Sequence, residues 1–434
     1  LFLFVQDLCL QVSAKARATT PAIGWGARAL CISVGVAASL APCPASAQLA
    51  APPASLVTPK SLRPETPPAT PPELPQAAPL QAPSGAENIS VTLGDIKVEG
   101  GFPEFAAATG ALIADARGRK LSVADFFKLA NAIEDLYHAG GYPLVRLTVP
   151  PQHVNNGGTL RLIVVDGFIE QIDDQGLAER ARNRVEAQLA PLVGQRHVTE
   201  AAIERALTLA GQEPGVTLRS ALGAGKEPGG VLLVIEGEQS LTTTTFEVDN
   251  RLAPSLGTWE STLQFALNQP FQLGEQFYGY VSGDADEHPF STYSPRRVAG
   301  GGIQFPLGSD GLVLNPEYTW SLTKPIATGL TIPEVSRFER ETLRLIYPAV
   351  LDHGQSLTLT TTIDATTETD ILPLFAAVLD KDQTRVGRIN AEWNDGLSWG
   401  GKLQAWRDPV ERCRRVWRPR LRASDIERDR SVPL

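Results

Sequence analysis

Between Ile89 and Glu238 the apolar positions change period in the same order twice over. The first pass opens on an alternating run, Ile89-Ser90-Val91-Thr92-Leu93, which predicts a strand. A helix is predicted near Glu104 to Ala116, and a second one begins at Ser122. In that second helix Phe126, Leu129, Ala130, Ile133, Leu136 and Tyr137 fall on one face. Ser122, with Asp125 three residues on, forms an approximate capping box, and Gly140-Gly141 marks the end. Alternation then returns at Leu144 to Val149 and Thr159 to Val165, with Pro150-Pro151 and Asn155-Asn156-Gly157-Gly158 between them. The second pass runs from a strand at Phe168 to Ile172 through a helix bearing Leu177, Ala181, Val185 and Leu189. It continues with a helix at Thr199 to Ala210 and strands at Val216 to Ala221 and Val231 to Glu236. The pattern predicts two α+β modules of βααββ order, 89–167 and 168–238, each a small sheet covered on one face by two helices. Such sheets leave edges that can take up an extended chain, which points to a polypeptide ligand rather than a small molecule.

From 239 to about 406 period two takes over. Trp259, Ser261, Leu263, Phe265 and Leu267 alternate with Glu260, Thr262, Gln264 and Ala266. Leu343, Leu345 and Tyr347 do the same, as do Leu357, Leu359, Thr361 and Ile363, and then Ala391 and Trp393. Segments of about 10 residues, apolar on one side and polar on the other, fit an antiparallel transmembrane β-barrel with lipid outside and water inside. Trp259, Tyr347, Trp393 and Trp399 stand where interfacial girdles use amphipathic rings. A soluble β-sandwich has the same period, but the long polar stretches Gly283 to Arg297 and Lys324 to Glu339 suit extracellular loops better. Gly300-Gly301-Gly302 is expected to relieve crowding at a bend of the barrel.

Composition adds an address. Lys15, Arg17 and Arg28, the apolar stretch Ala29 to Leu40 and Ala45-Ser46-Ala47 read as a secretory signal peptide ending at Ala47, too short to stay as a membrane helix. The chain has no Met, and its true start is expected to differ from Leu1. Residues 48–88 carry prolines every few residues and are expected to form an extended tether through which no helix or sheet runs. A net charge of −9 argues against nucleic acid as the partner. The four Cys show no metal-ligand spacing and no expected disulfide; the five His are scattered, expected on the surface or in turns. No cofactor or catalytic constellation is expected; Gly223 to Glu227 lacks the Ser/Thr of a phosphate loop and is expected to be a hairpin turn.

The wording of the first module is specific. Gly141-Tyr142-Pro143, Pro150-Pro151-Gln152, Gly158-Thr159-Leu160-Arg161-Leu162 and Val165-Asp166-Gly167-Phe168-Ile169 resemble the POTRA region of two-partner secretion transporters. These haemolysin secretion/activation proteins of the outer membrane export haemolysins and filamentous adhesins. The resemblance implies a pair of POTRA domains in the periplasm that capture an unfolded exoprotein, and a sixteen-stranded barrel in the outer-membrane lipid that conducts it, acting as a monomer. Leu144, Arg146, Leu160, Arg161 and Leu162 are the candidate cargo-binding residues, with burial in the core the alternative for the three leucines. Three features depart from the family. Only eight or nine strands are counted, no Val-Arg-Gly-Tyr/Phe motif occurs, and the tether stands where the family's plug helix would be. Residues 407–434 crowd with Arg, and a frameshift or premature stop near codon 406 is expected, with a genuine basic tail as the alternative. The rival functions are an outer-membrane assembly factor with POTRA domains and a soluble periplasmic polypeptide-binding protein.

Overall fold

The computed structural model describes residues 53–59, 63–64, 79–285, 291, 293–326, 334–352, 355–396, 402–407 and 410–417. The expected signal segment, Trp399, His288 and His353 lie outside the described residues.

The first element, α1 (Ala54–Val57), corrects the expectation of a tether without helix. Proline disrupts a helix interior but is compatible with its very start. Pro53 precedes the first turn with φ −57° and ψ 150°, and no other proline intervenes before Pro59. The gap admits one turn and no more.

Module 1 comprises β1 (Ser90–Thr92), β2 (Asp95–Glu99), α2 (Ala106–Ala116), β3 (Lys120–Ser122), α3 (Val123–Ala139), β4 (Arg146–Thr148) and β5 (Thr159–Val165). Its three-stranded sheet has the order β2-β5-β4, with β2 parallel and β4 antiparallel to β5. The strand expected at Ile89–Leu93 is therefore not the sheet strand. Its observed part, β1, pairs with β3 in a separate two-stranded ribbon, and β2 takes the place in the sheet. Phe126, Ala130, Ile133 and Tyr137 of α3 pack on Ile96, Leu147, Leu160 and Leu162.

The capping box forms as read. The Asp125 amide donates to Ser122 Oγ (3.2 Å), and the Asp125 carboxylate accepts from the Ser122 amide (3.0 Å). Hydrogen bonds from Lys128 first, then from Ser122, hold the Asp125 carboxyl down at about 2. A depressed carboxyl pKa contributes stability that is present above its unfolded value and lost as pH falls through its folded one. That contribution should fade between pH 4 and 2. Ser122→Ala should cost module 1 about 1 kcal/mol in urea unfolding of a 89–238 fragment.

Module 2 follows with β6 (Phe168–Gly176), α4 (Glu179–Leu189), α5 (Glu200–Gly211), β7 (Val216–Ala224) and β8 (Gly230–Gln239), sheet order β6-β8-β7. Thr199 caps α5, its Oγ1 accepting from the Ala202 amide at 3.3 Å.

The large sheet is antiparallel throughout. Its strands are β9 (Thr242–Asp249), β10 (Glu260–Asn268), β11 (Gln276–Asp284), β12 (Arg296–Pro306), β13 (Val313–Thr323), β14 (Val335–Leu351), β15 (Gln355–Leu372) and β16 (Ala377–Gly396), each paired with the next. The outer edge of β16 is lined by β17 (Lys402–Arg407) and β18 (Val410–Trp417). Ala391 faces Arg407 and Arg388 faces Val410, so β17 and β18 keep one register and act as one edge strand in two stretches. Strand structure thus continues beyond Trp406, where an arginine-rich coil is expected from the sequence. A ladder needs backbone donors and acceptors and tolerates charged side chains on an exposed edge.

One face of this sheet is polar and covered, the other apolar and bare. Ile363, at 58% exposure, shares the bare face with Phe246, Phe265, Leu343, Leu345 and Ile389. On the inner face Tyr278 and Tyr280 of β11 reach across β12 to Glu317 (2.8 Å) and Thr319 (2.7 Å) of β13. They can do so because Gly300 and Gly302 stand between: a Cβ on Gly300 would lie 2.4 Å from Tyr280 Oη, and one on Gly302 2.6 Å from Tyr278 Oη. The glycine run does relieve crowding, and the crowding comes from two tyrosine side chains.

Candidate functional site

The five residues expected to bind cargo do not form one surface. Leu160 and Leu162 lie on β5, the central strand of module 1, with their side chains in its core. A central strand has no free ladder to offer, so these two leucines hold the module together. Arg161, between them, points to the open face and bonds Glu99 of β2 at 2.8 Å. Arg161 and then Lys97 keep the Glu99 carboxyl below its usual range. Arg146 is tied to Glu134 of α3 (3.1 Å), whose other oxygen accepts from the Leu147 amide at 2.8 Å. Glu134 is only 4% exposed, and sequence reasoning missed it because it falls just beside the apolar stripe of α3.

Leu144 is displaced furthest from its expected role. Its side chain packs in the core of module 2, among Ile169, Ala181 and Ile203. The Gly141-Tyr142-Pro143-Leu144 segment is thus the joint between the modules. The Glu200 amide at the start of α5 donates to the Gly141 carbonyl (2.8 Å). His197 stacks on Phe102 with ring centroids 4.1 Å apart, and its Nδ1 meets Asp166 at 3.1 Å. This histidine was expected merely to occupy a surface or turn position.

Pro150-Pro151-Gln152 also has a structural reason. The prolines cannot donate to a ladder, and β4 stops before them. The Gln152 side-chain amide replaces the missing strand, accepting from the Arg161 amide (2.9 Å) and donating to its carbonyl (2.8 Å). Among the described residues no strand pairs with the outer edge of β2 or of β7. The outer edge of β4 is equally unpaired, so the free ladders lie on the edge strands and not on the central β5.

Module 2 is fastened to one end of the large sheet. Arg180 and Arg184 of α4 donate to the carbonyls of Pro270 (3.4 Å) and Gly308 (3.0 Å). Arg205 of α5 donates to the Pro348 carbonyl (2.9 Å) and pairs with Asp310 (2.9 Å). Pro270 and Gly308 lie in the short connections between β10 and β11 and between β12 and β13, and Pro348 near the close of β14. The long connections, β11–β12 and β13–β14, lie at the opposite end.

The inner face is a charged network. Glu317 meets Arg344 (3.0 Å) and Arg340 (3.8 Å); Asp364 bonds Thr342 (2.6 Å) and Arg388; Arg296 pairs with Glu260. Into it fits α1. Ser55 donates from its amide (2.9 Å) and its hydroxyl (2.7 Å) to Glu368, and the Ala54 amide donates to Ser336 (3.2 Å). Arg296 holds the Val57 carbonyl at 2.8 Å and Arg340 the Pro59 carbonyl at 2.8 Å. One turn of the tether thus lies against the inner face, far from the module end of the sheet.

Two small modules docked on a membrane-type sheet with a polar interior define a POTRA–barrel protein. Residues 91–167 match the family model described as "POTRA domain, ShlB-type". CdiB from Escherichia coli superposes with a TM-score of 0.56 at 18% identity, over 75% of this chain and 60% of that one. CdiB from Acinetobacter baumannii gives 0.47 at 15% identity, over 79% and 67%. BamA from Haemophilus ducreyi lacking POTRA domains 1–3 gives 0.40 at 12% identity, over 71% and 59%. Among curated proteins none matches. Residues 91–167 are thus a POTRA domain of the ShlB type, and the chain as a whole shares the fold of CdiB from Escherichia coli. It spans less than two thirds of the E. coli CdiB chain it resembles.

Proposed function

We propose that this protein exports a partner polypeptide, a haemolysin or a filamentous adhesin, across the outer membrane. The modules stand in the periplasm and take the unfolded cargo along the free edges of their sheets; the barrel interior then conducts it outward. The observation that carries this reading is the fastening of module 2 to the strand connections at one end of the large sheet by Arg180, Arg184 and Arg205. A soluble periplasmic binding protein is disfavoured by the row of bare apolar side chains on the outer face. Outer-membrane lipid is the partner that such a face requires, and one chain supplies one transport unit.

The deciding experiment is co-expression of the chain with an exoprotein, following the exoprotein in the medium and the chain in detergent-extracted outer membranes. Export that stops when residues 89–238 are deleted supports the reading; unchanged export rejects it. Arg161→Glu tests the open face of module 1 alone, since its partner Glu99 is exposed and the core is untouched. It should weaken binding of the exoprotein's amino-terminal segment about tenfold, roughly 1.4 kcal/mol. Arg146→Glu cannot serve this purpose, because it would set a second carboxylate against the buried Glu134.

A further inference from the structure

We infer that the outer wall of β12–β14 holds the phosphate of a membrane glycolipid, at the end of the sheet away from the modules. The inference rests on the membrane reading above and names what the wall meets there. Moving away from module 2 along β14, the outward positions Tyr347, Leu345 and Leu343 give way to Glu341, Glu339 and Arg337. On β16, Ile389 gives way to Arg385 and Lys381. With 17, 18 and 20 residues, β14, β15 and β16 exceed the length of about 9–11 residues that crosses a bilayer. Their upper parts therefore stand in the headgroup layer and above it.

In that zone the register sets Arg297 of β12 opposite Leu322 of β13, and Leu322 opposite Arg337 of β14. Two strand spacings put the arginine backbones about 10 Å apart. Both guanidinium groups can then reach one phosphate above Leu322. The Arg297 guanidinium lies 5.7 Å from the centroid of the Trp320 ring, which orients it. Its Nε has no hydrogen-bond partner among the described residues. Glu339 stands opposite Trp320 and Glu341 opposite Tyr318, one and two steps further down the wall; on β16 Lys381 lies level with Arg337 and Arg385 level with Glu341.

The chemistry selects the ligand. A pair of arginine forks matches phosphate oxygens. Trp320 and the apolar rows below it match acyl chains under that phosphate, as in the aromatic girdles of outer-membrane barrels. A soluble anion would have no use for the apolar rows, and an acidic peptide no reason to lie at the lipid boundary.

The test uses the full chain folded in neutral detergent. It is titrated with a bisphosphorylated, acylated glucosamine disaccharide and with the same lipid stripped of phosphate. The phosphorylated form should bind at least tenfold more tightly, and R297Q/R337Q should remove that preference. R297K/R337K keeps the charge but loses the fork, and should retain only part of it. Equal binding of the two lipids overturns the inference, as does an unchanged preference in the glutamine variant. Should the glutamine variant fail to fold, the lysine variant decides: wild-type affinity overturns the inference. Displacement of the lipid by millimolar inorganic phosphate would assign a simple anion site instead and overturn it too. Flotation with phosphatidylcholine vesicles separates the two levels. A chain that floats but shows no phosphate preference loses only this inference, whereas one that does not float loses the membrane reading with it.

Discussion

Leu144→Ala should destabilise module 2 by about 2–4 kcal/mol, although the residue precedes the last strand pair of module 1. The side chain is only 5% exposed and sits among module 2 residues, so its removal leaves a cavity there. The Leu144 backbone is pinned as well. A Cβ on Gly167 would lie 2.0 Å from its carbonyl oxygen, a contact no backbone tolerates without moving. Unfolding of the 89–238 fragment followed by hydrogen exchange resolves the two modules. Protection lost in α4 and α5 confirms the crossing; loss confined to α3 and β5 would return Leu144 to module 1. Leu162→Ala, inside module 1, should give that second pattern and serves as the control.

Removing Glu317 should be the costliest change in the large sheet. Its carboxylate is buried between Arg344 and Arg340 and accepts from Tyr278. Glu317→Ala leaves two buried guanidinium groups facing each other, a situation that costs about 3–5 kcal/mol where one partner of a buried pair is lost. The folded fraction in detergent, read from electrophoretic mobility before and after heating, should fall sharply. Glu317→Gln keeps one accepting oxygen but loses the other and the charge, and should fall between. Equal stability of all three would mean that the inner network is not structural.

The helices of both modules were legible because their stripes are long and their caps local. Ser122 with Asp125, and Thr199, needed nothing outside their own turn. The sheets were less legible, since pairing is set by residues far apart. Ile89 to Leu93 has the stronger alternation, yet Asp95-Ile96-Lys97-Val98-Glu99 wins the place beside β5 because Ile96 and Val98 reach the core from there. The same distance hid the site. Nothing local distinguishes an edge strand from a central one, so Leu160 and Leu162 read as a binding strand when they are the middle of a sheet. The single turn of α1 could not be read either. Five residues between prolines carry no periodicity, and the turn is held by Glu368, Ser336 and Arg296, hundreds of positions away.

That turn and the modules are joined by the same stretch of chain. Pro59 is held inside the barrel by Arg340, while Leu80 is clipped to α3 by both of its backbone groups on Asn131. Fully extended, the chain between these two anchors reaches about 70 Å. Because both anchors belong to one chain, any exchange of the turn is intramolecular. Its effective concentration at the inner face stays near the millimolar range however dilute the protein. Any ligand of the inner face would therefore compete against a local concentration, and weak individual hydrogen bonds suffice to hold the turn there.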